Sequence, residues 1–158
     1  MKIRIELTDA DEEELVIRCK ELTPAIQKAA VLLQNGLNTL PELCLTLSGS
    51  EYFIAPERIL FFETQDGKIT AHTKDKMYYA PYTLAGLESF LPSYFARGSK
   101  SCLINIRYIL GITRNITGAS EVTFRDSGKK VYVSRMYYKP LRQKLADLRF
   151  VREPNEKS

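Results

Sequence analysis

Residues 94–109 read YFARGSKSCLINIRYI, and two chemistries meet inside that stretch. Its second half is apolar and rich in β-branched residues, which is the texture of a core strand over 102–106. Its first half crowds Arg97, Gly98, Ser99, Lys100 and Ser101 together. Glycine and serine suit a turn, because glycine tolerates unusual backbone angles and serine bonds to nearby backbone. The segment therefore reads as a cationic turn over 97–101 anchored on a buried strand, with Lys100 projecting.

The surrounding sequence has the same grain. From Cys44 onward come CLTLS, EYFIA, ILFFE, KITAHT and MYYA, separated by SGS, PER, QDG and KDK. After the opening stretch come YILGIT, ASEVTF and KKVYV, with NITG and DSG as turns. Short strands at close spacing point to antiparallel sheets. One helix interrupts them. Thr83 caps it, Leu84, Leu87 and Leu91 follow at helical spacing, and Pro92 ends it. The tail from Ser134 is helical, with Leu141, Leu145 and Leu148 at i, i+4 and i+7. Pro140 would cost roughly 3 kcal/mol inside a helix, so a turn over 134–138 and a helix starting near Pro140 are expected. The front differs. Residues 2–7, KIRIEL, alternate as a strand; 15–20, LVIRCK, read as a second; Thr23-Pro24 opens a helix that Pro41 stops. The expected organisation is a β-hairpin plus helix over 1–43, a mainly β unit of small antiparallel sheets with short helices over 44–150, and a frayed tail over 151–158.

Composition narrows the function. The chain has 158 residues, 44% of them hydrophobic and 10% aromatic, enough for a real core. No apolar run approaches the ~20 residues that cross a bilayer, and the first residues, MKIRIELTDADEEE, do not form a secretory signal. Three scattered cysteines, Cys19, Cys44 and Cys102, form no pair motif and suit a reducing cytoplasm as small buried hydrophobes. No phosphate-binding loop, nucleophile elbow, dinucleotide fingerprint or metal cluster is present, so no enzyme, no cofactor and no small-molecule substrate is expected. The single histidine, His72, falls on the polar face of its strand and reads as structural or surface. The net charge of +4 hides an asymmetry. Residues 1–43 carry 5 Lys/Arg against 8 Asp/Glu, whereas residues 97–152 carry 13 against 3. A basic excess in one region fits a polyanion, or a solvated basic face.

Reading duplex DNA takes cations that grip phosphate and side chains that reach base edges, and arginine and lysine serve both ends. The 97–101 turn offers Lys100 with the hydroxyls of Ser99 and Ser101, and Arg97 beside them. Arg97 reads equally as a salt-bridge partner, and Ser101 as a turn hydrogen bond. In V133-S-R-M-Y137, Ser134 caps a helical turn whose N–H groups favour an anion. Arg135 stands in the first turn, where the helix dipole prefers an acid; that favours a partner-facing role over a plain surface arginine. Lys139 is counted with these cations.

Residues 44–149 resemble the LytTR DNA-binding domain of bacterial transcription regulators. The resemblance rests on I59-L-F-F-E63, L84-A-G-L-E-S-F-L-P92, F95-A-R-G-S-K-S-C-L-I-N105, V133-S-R-M-Y137 and Leu141. It implies stacked small antiparallel sheets without a helix-turn-helix, loops placed in successive major grooves at paired direct repeats, and bent DNA. It also implies base contacts at Lys100 and Arg135, and a third contact loop at Gln65, Asp66, Gly67 and Lys68. Many members have histidine where Ser99 stands, and the QDG turn is short, so Lys68 is a better contact than Asp66, whose charge repels phosphate. Residues 1–43 are too few for a receiver domain. The resemblance is thus to stand-alone regulators governed by a membrane-protein partner, with the front segment serving dimerisation (a homodimer), partner binding or the capping of a sheet edge. The competing class is a β-rich interaction module, an anti-regulator or adaptor, whose basic face meets an acidic protein.

Overall fold

The computed structural model describes residues 15–38 and 40–149, with side chains for all of these except 35–38. The chain divides into two units between Leu40 and Pro41.

In the first unit, residues 15–23 hold no regular secondary structure. The strand expected over 15–20 does not form. Leu15, Val16 and Ile17 are exposed, and no neighbouring strand pairs with them among the described residues, so their backbone has no ladder to join. The partner expected over 2–7 lies outside the described residues. Helix α1 spans Pro24–Asn38. Its start is as the sequence implies: Thr23 Oγ1 accepts from the Ile26 N–H at 3.3 Å, and Pro24 fills the first position, where its missing N–H costs nothing. Gly36 does not end the helix, since one glycine costs only about 1 kcal/mol.

The second unit carries a seven-stranded antiparallel sheet and a three-stranded one. The larger comprises β1 (Leu43–Leu47), β2 (Ser50–Ile54), β3 (Phe61–Gln65), β4 (Lys68–His72), β5 (Met77–Ala80), β6 (Phe95–Ser99) and β7 (Cys102–Asn105), in the order β2-β1-β5-β4-β3-β7-β6. The smaller comprises β8 (Ile109–Thr113), β9 (Ser120–Phe124) and β10 (Lys130–Val133). Helix α2 (Leu84–Phe90) begins where Thr83 Oγ1 accepts from the Gly86 N–H at 3.0 Å. It buries Leu84 and Leu87. One apolar core joins both sheets and helix α3 (Arg135–Arg149), with Phe61 stacked on Phe124 at 5.3 Å across the seam.

Helix α3 overturns the expected break at Pro140. The helix runs unbroken from Arg135 through Pro140 to Arg149. The proline removes one backbone bond early in the helix, costing about 3 kcal/mol. Burial of Leu141 and Leu145 on the core offsets this at roughly 1.5–3 kcal/mol each. Leu148, expected on the same face, is exposed. Of the cysteines, Cys102 is buried and its thiol is pushed up to about 12, chiefly by burial. Cys44 is half-buried, and Cys19 is exposed rather than a core hydrophobe.

His72 is buried, not on an open polar face, because the second sheet covers that part of β4. Its ring stacks on Phe61 at 4.2 Å. Nε2 lies 3.0 Å from Glu63 Oε1 and 3.2 Å from Thr70 Oγ1, while Nδ1 faces Lys129 Nζ at 3.4 Å. These partners select the neutral tautomer, with Nε2–H donating to the carboxylate and Nδ1 accepting from the ammonium. Burial, aided by Lys129, lowers His72 to about 4. Burial also raises the Glu63 carboxyl and lowers the Lys129 ammonium. The folded state thus binds fewer protons at His72 than the unfolded chain. The stability it contributes is full above pH ~6.5 and is lost as pH falls from there through about 4. Glu63 contributes the opposite slope. Urea titrations across that window are expected to show His72→Phe losing less stability on acidification than the parent; parallel curves would remove His72 as the titrating group.

Candidate nucleic-acid interface

Strand register brings three polar segments to one end of the large sheet. In the β3–β4 hairpin, Gln65 pairs with Lys68, and the turn residues Asp66 and Gly67 have φ of 50° and 75°. Left-handed angles at both positions make a type I′ turn, which is why Asp-Gly stands there. In the β6–β7 hairpin, Ser99 pairs with Cys102, leaving Lys100 and Ser101 at the tip. Strands β3 and β7 are neighbours with Glu63 opposite Cys102, so both tips point the same way. The Thr64 N–H donates to the Ser101 carbonyl at 2.8 Å, tying one hairpin to the other.

The third segment is the junction of β10 and α3. The Ser134 N–H donates to the Gly98 carbonyl at 2.9 Å, which sets Arg135 beside the β6–β7 tip. Gly98 sits at an irregularity in the β6–β7 register. A Cβ there would lie 2.5 Å from Ile104 Cδ1 and 3.5 Å from Val133 Cγ2. A Cβ there overlaps the end of the buried Ile104 side chain, which would have to turn, while Val133 on β10 stays at ordinary contact distance.

The tips differ in rigidity and exposure. Lys100, Ser101, Arg135, Met136 and Lys139 are exposed, as are Gln65, Asp66, Gly67 and Lys68. Ser99 Oγ accepts from the Ser101 N–H at 3.2 Å and lies 3.2 Å from Ser101 Oγ, so each hydroxyl already has a partner within the turn. Arg97 is engaged inside the protein. Its Nε donates to Glu88 Oε2 at 2.6 Å, and its Nη1 donates to the Lys100 carbonyl at 2.7 Å. Lys68 Nζ sits 5.9 Å from the centre of the Tyr79 ring. Asn105, at the far end of β7, is fully buried; its Nδ2 donates to the Ile59 carbonyl at 2.9 Å and its Oδ1 accepts from the Arg107 N–H at 3.1 Å.

Glu88 was not singled out from the sequence, yet it anchors Arg97 from helix α2. It lies within the 84–92 run quoted above, but nothing local in that run points to Arg97 as its partner. Glu88→Ala is expected to leave the melting temperature within about 2 °C, because such part-exposed pairs stabilise little. It is expected to weaken duplex binding several-fold by freeing Arg97 and the Lys100 backbone. Melting curves and anisotropy titrations on one preparation check both halves.

Among the described residues, no cluster of three His, Cys, Asp or Glu side chains could hold a metal, and no helix is long and apolar enough to cross a membrane. Comparison with known proteins places this geometry among relatives. The family model for the LytTr DNA-binding domain matches residues 49–146. A sensory transduction protein LytT of Bacillus anthracis is 30% identical over 141 residues, covering 85% of this chain and 57% of that protein. A Bacillus cereus LytT is 32% identical over 105 residues, covering 66% and 42%. The chain thus spans about half the length of these curated relatives. Among solved structures, the LytTr DNA-binding domain of a Bacillus cereus protein, described as a methyl-accepting/DNA response regulator, superposes with a TM-score of 0.61. It does so at 20% identity, over 66% of this chain and 96% of that one.

Proposed function

The chain belongs to the LytTr DNA-binding domain family, and from that premise we propose that it is a sequence-specific double-stranded DNA-binding transcription regulator acting in the cytoplasm. The observation that carries the reading is the convergence of three exposed turns on one sheet end, tied by the Thr64–Ser101 and Ser134–Gly98 backbone bonds. A rigid platform with projecting cations is what groove reading needs.

Roles follow from exposure and engagement. Lys100 and Arg135 reach base edges. Lys68, Lys139 and the Gly67 backbone meet phosphate, together with the Ser99 and Ser101 hydroxyls. Arg97 positions the Lys100 turn through its two internal bonds and adds charge to the phosphate-facing edge. The Gly98–Ser134 bond keeps the Lys100 and Arg135 backbones within roughly 20 Å of one another, by the reach of so few residues. Successive major grooves on straight duplex recur about every 34 Å. Reading two of them from this platform therefore favours DNA that bends toward the protein, and paired direct repeats would be read by two such molecules. Residues 1–43 supply a surface for a regulator, including a membrane protein, or for a second copy; Val31, Leu32 and Leu33 of α1 are exposed apolar side chains suited to that.

Fluorescence anisotropy with the upstream promoter fragment of the protein's own gene, against a scrambled duplex across a salt series, tests the reading. Expected is tight promoter binding that persists near ~150 mM salt while the scrambled duplex is released. Equal and steeply salt-sensitive binding to both duplexes would instead favour an interaction module whose basic face meets an acidic protein.

A further inference from the structure

Among the described residues strand β2 forms an outer edge of the large sheet and pairs with β1 alone. The opposite edge, β6, is covered, since α3 and β10 pack on it and Ser134 bonds Gly98. The turn between β1 and β2, Ser48 and Gly49, has φ of 51° and 81°, again a two-residue type I′ turn. Its closing pair, Leu47 and Ser50, exchanges both backbone bonds, so alternate pairs along the ladder do the same. Glu51 and Phe53 fall between them, and their N–H and C=O groups point away from β1. Among the described residues neither finds another backbone partner. Its side chains guard this edge with a single charge, Glu51. Phe53 is 64% exposed and Tyr52 39%, and the strand, SEYFI, holds no proline or lysine of the kind that blunts natural edges.

We propose that β2 is a self-association edge, pairing antiparallel with β2 of a second copy about a twofold axis through Tyr52. Unpaired alternate backbone groups call for an extended strand as occupant, and the residue pattern selects the chain's own strand. In the register centred on Tyr52, each Glu51 exchanges both backbone bonds with Phe53 of the other copy. All outward-facing groups of the edge are then satisfied. The two Glu51 carboxylates avoid facing one another, each lying opposite an exposed phenyl ring instead. Registers centred on Glu51 or Phe53 place like residues opposite and leave groups unpaired. Two strands, β1 and β5, lie between this edge and the β3–β4 hairpin. Pairing leaves the cationic turns free, and because a twofold pair faces its two DNA surfaces in opposite senses, it is an association separate from the same-sense placement of two copies on direct repeats.

Sedimentation velocity on the full chain up to about 100 µM, a range that captures micromolar dimers, is the first measurement. Expected is a species approaching twice 18.1 kDa. Glu51→Pro removes an outward N–H that no in-chain ladder bond uses, and Phe53→Lys adds an edge charge. Each is expected to weaken the dimer at least tenfold while leaving the melting temperature unchanged at a dilution where the parent is monomeric. Register is read by oxidation in a Cys19→Ser background. Tyr52→Cys should cross-link, since directly opposed residues of this kind lie about 4.5 Å apart at Cα. Glu51→Cys, two positions out of step with its twin, should not. A monomeric parent overturns the proposal. So does a dimer that both edge variants leave intact, which would locate association elsewhere, as on α1. Loss of the dimer in both variants without Tyr52 cross-linking overturns the register.

Discussion

Alanine at both Lys100 and Arg135 is expected to lower affinity for the specific DNA site by about 2–6 kcal/mol, at roughly 1–3 kcal/mol for each base-reading side chain. The two add because they sit on different turns, and no contact couples their side chains. Affinity for a scrambled duplex should fall far less, since the remaining phosphate contacts supply most of that binding. The discriminating quantity is thus the ratio of specific to scrambled affinity, which should collapse in the double variant and fall partway in each single one. Lys139→Ala is the comparison: as a phosphate contact it should weaken both duplexes alike and flatten the salt dependence by about one unit of slope. Anisotropy at two salt concentrations separates these patterns. A double variant that binds as tightly and selectively as the parent would sink the assignment of both residues.

Asn105→Ala is expected to destabilise the fold by about 2–4 kcal/mol. Asn105 is fully buried, and its side chain joins the buried Ile59 carbonyl to the part-buried Arg107 N–H. Truncation strands the Ile59 carbonyl at roughly 1–3 kcal/mol, and the part-buried Arg107 N–H, which water can reach, adds about 1 kcal/mol. Urea denaturation measures the loss. The folded fraction should still bind DNA within about twofold of the parent, because Asn105 lies at the end of β7 away from the Lys100 tip. A loss of binding without a loss of stability would mean that this asparagine faces DNA after all.

Much of this was readable along the chain because the determinants are local. Asp66-Gly67 suits left-handed angles wherever it stands, and Thr83 caps α2 with a neighbour three residues on. The β-branched and aromatic texture of ILFFE and KITAHT suits a strand wherever it stands, although the period-2 pattern of KITAHT misled about burial, since Ile69 through Thr73 are all buried. The family motif carried the expected contacts at Lys100, Arg135 and Lys68 for the same reason, as short runs with fixed spacing. Residues 15–20 show the limit of that reasoning: a strand pattern is only half of a ladder, and no partner is paired there among the described residues.

The sequence by itself determined the strands of the second unit, their turns, the capped start of each of α1 and α2, and the clustering of cations late in the chain. Only the tertiary structure decided that Pro140 rides inside α3, that His72 is buried under a second sheet, that Glu88 holds Arg97, and that three turns distant in sequence share one sheet end. The physical reason is common to all four. Each depends on a contact between segments apart in sequence, whose free energy comes from burial and from backbone groups paired across the fold. Local patterning sets which residues can form an element, but not which element will lie against it.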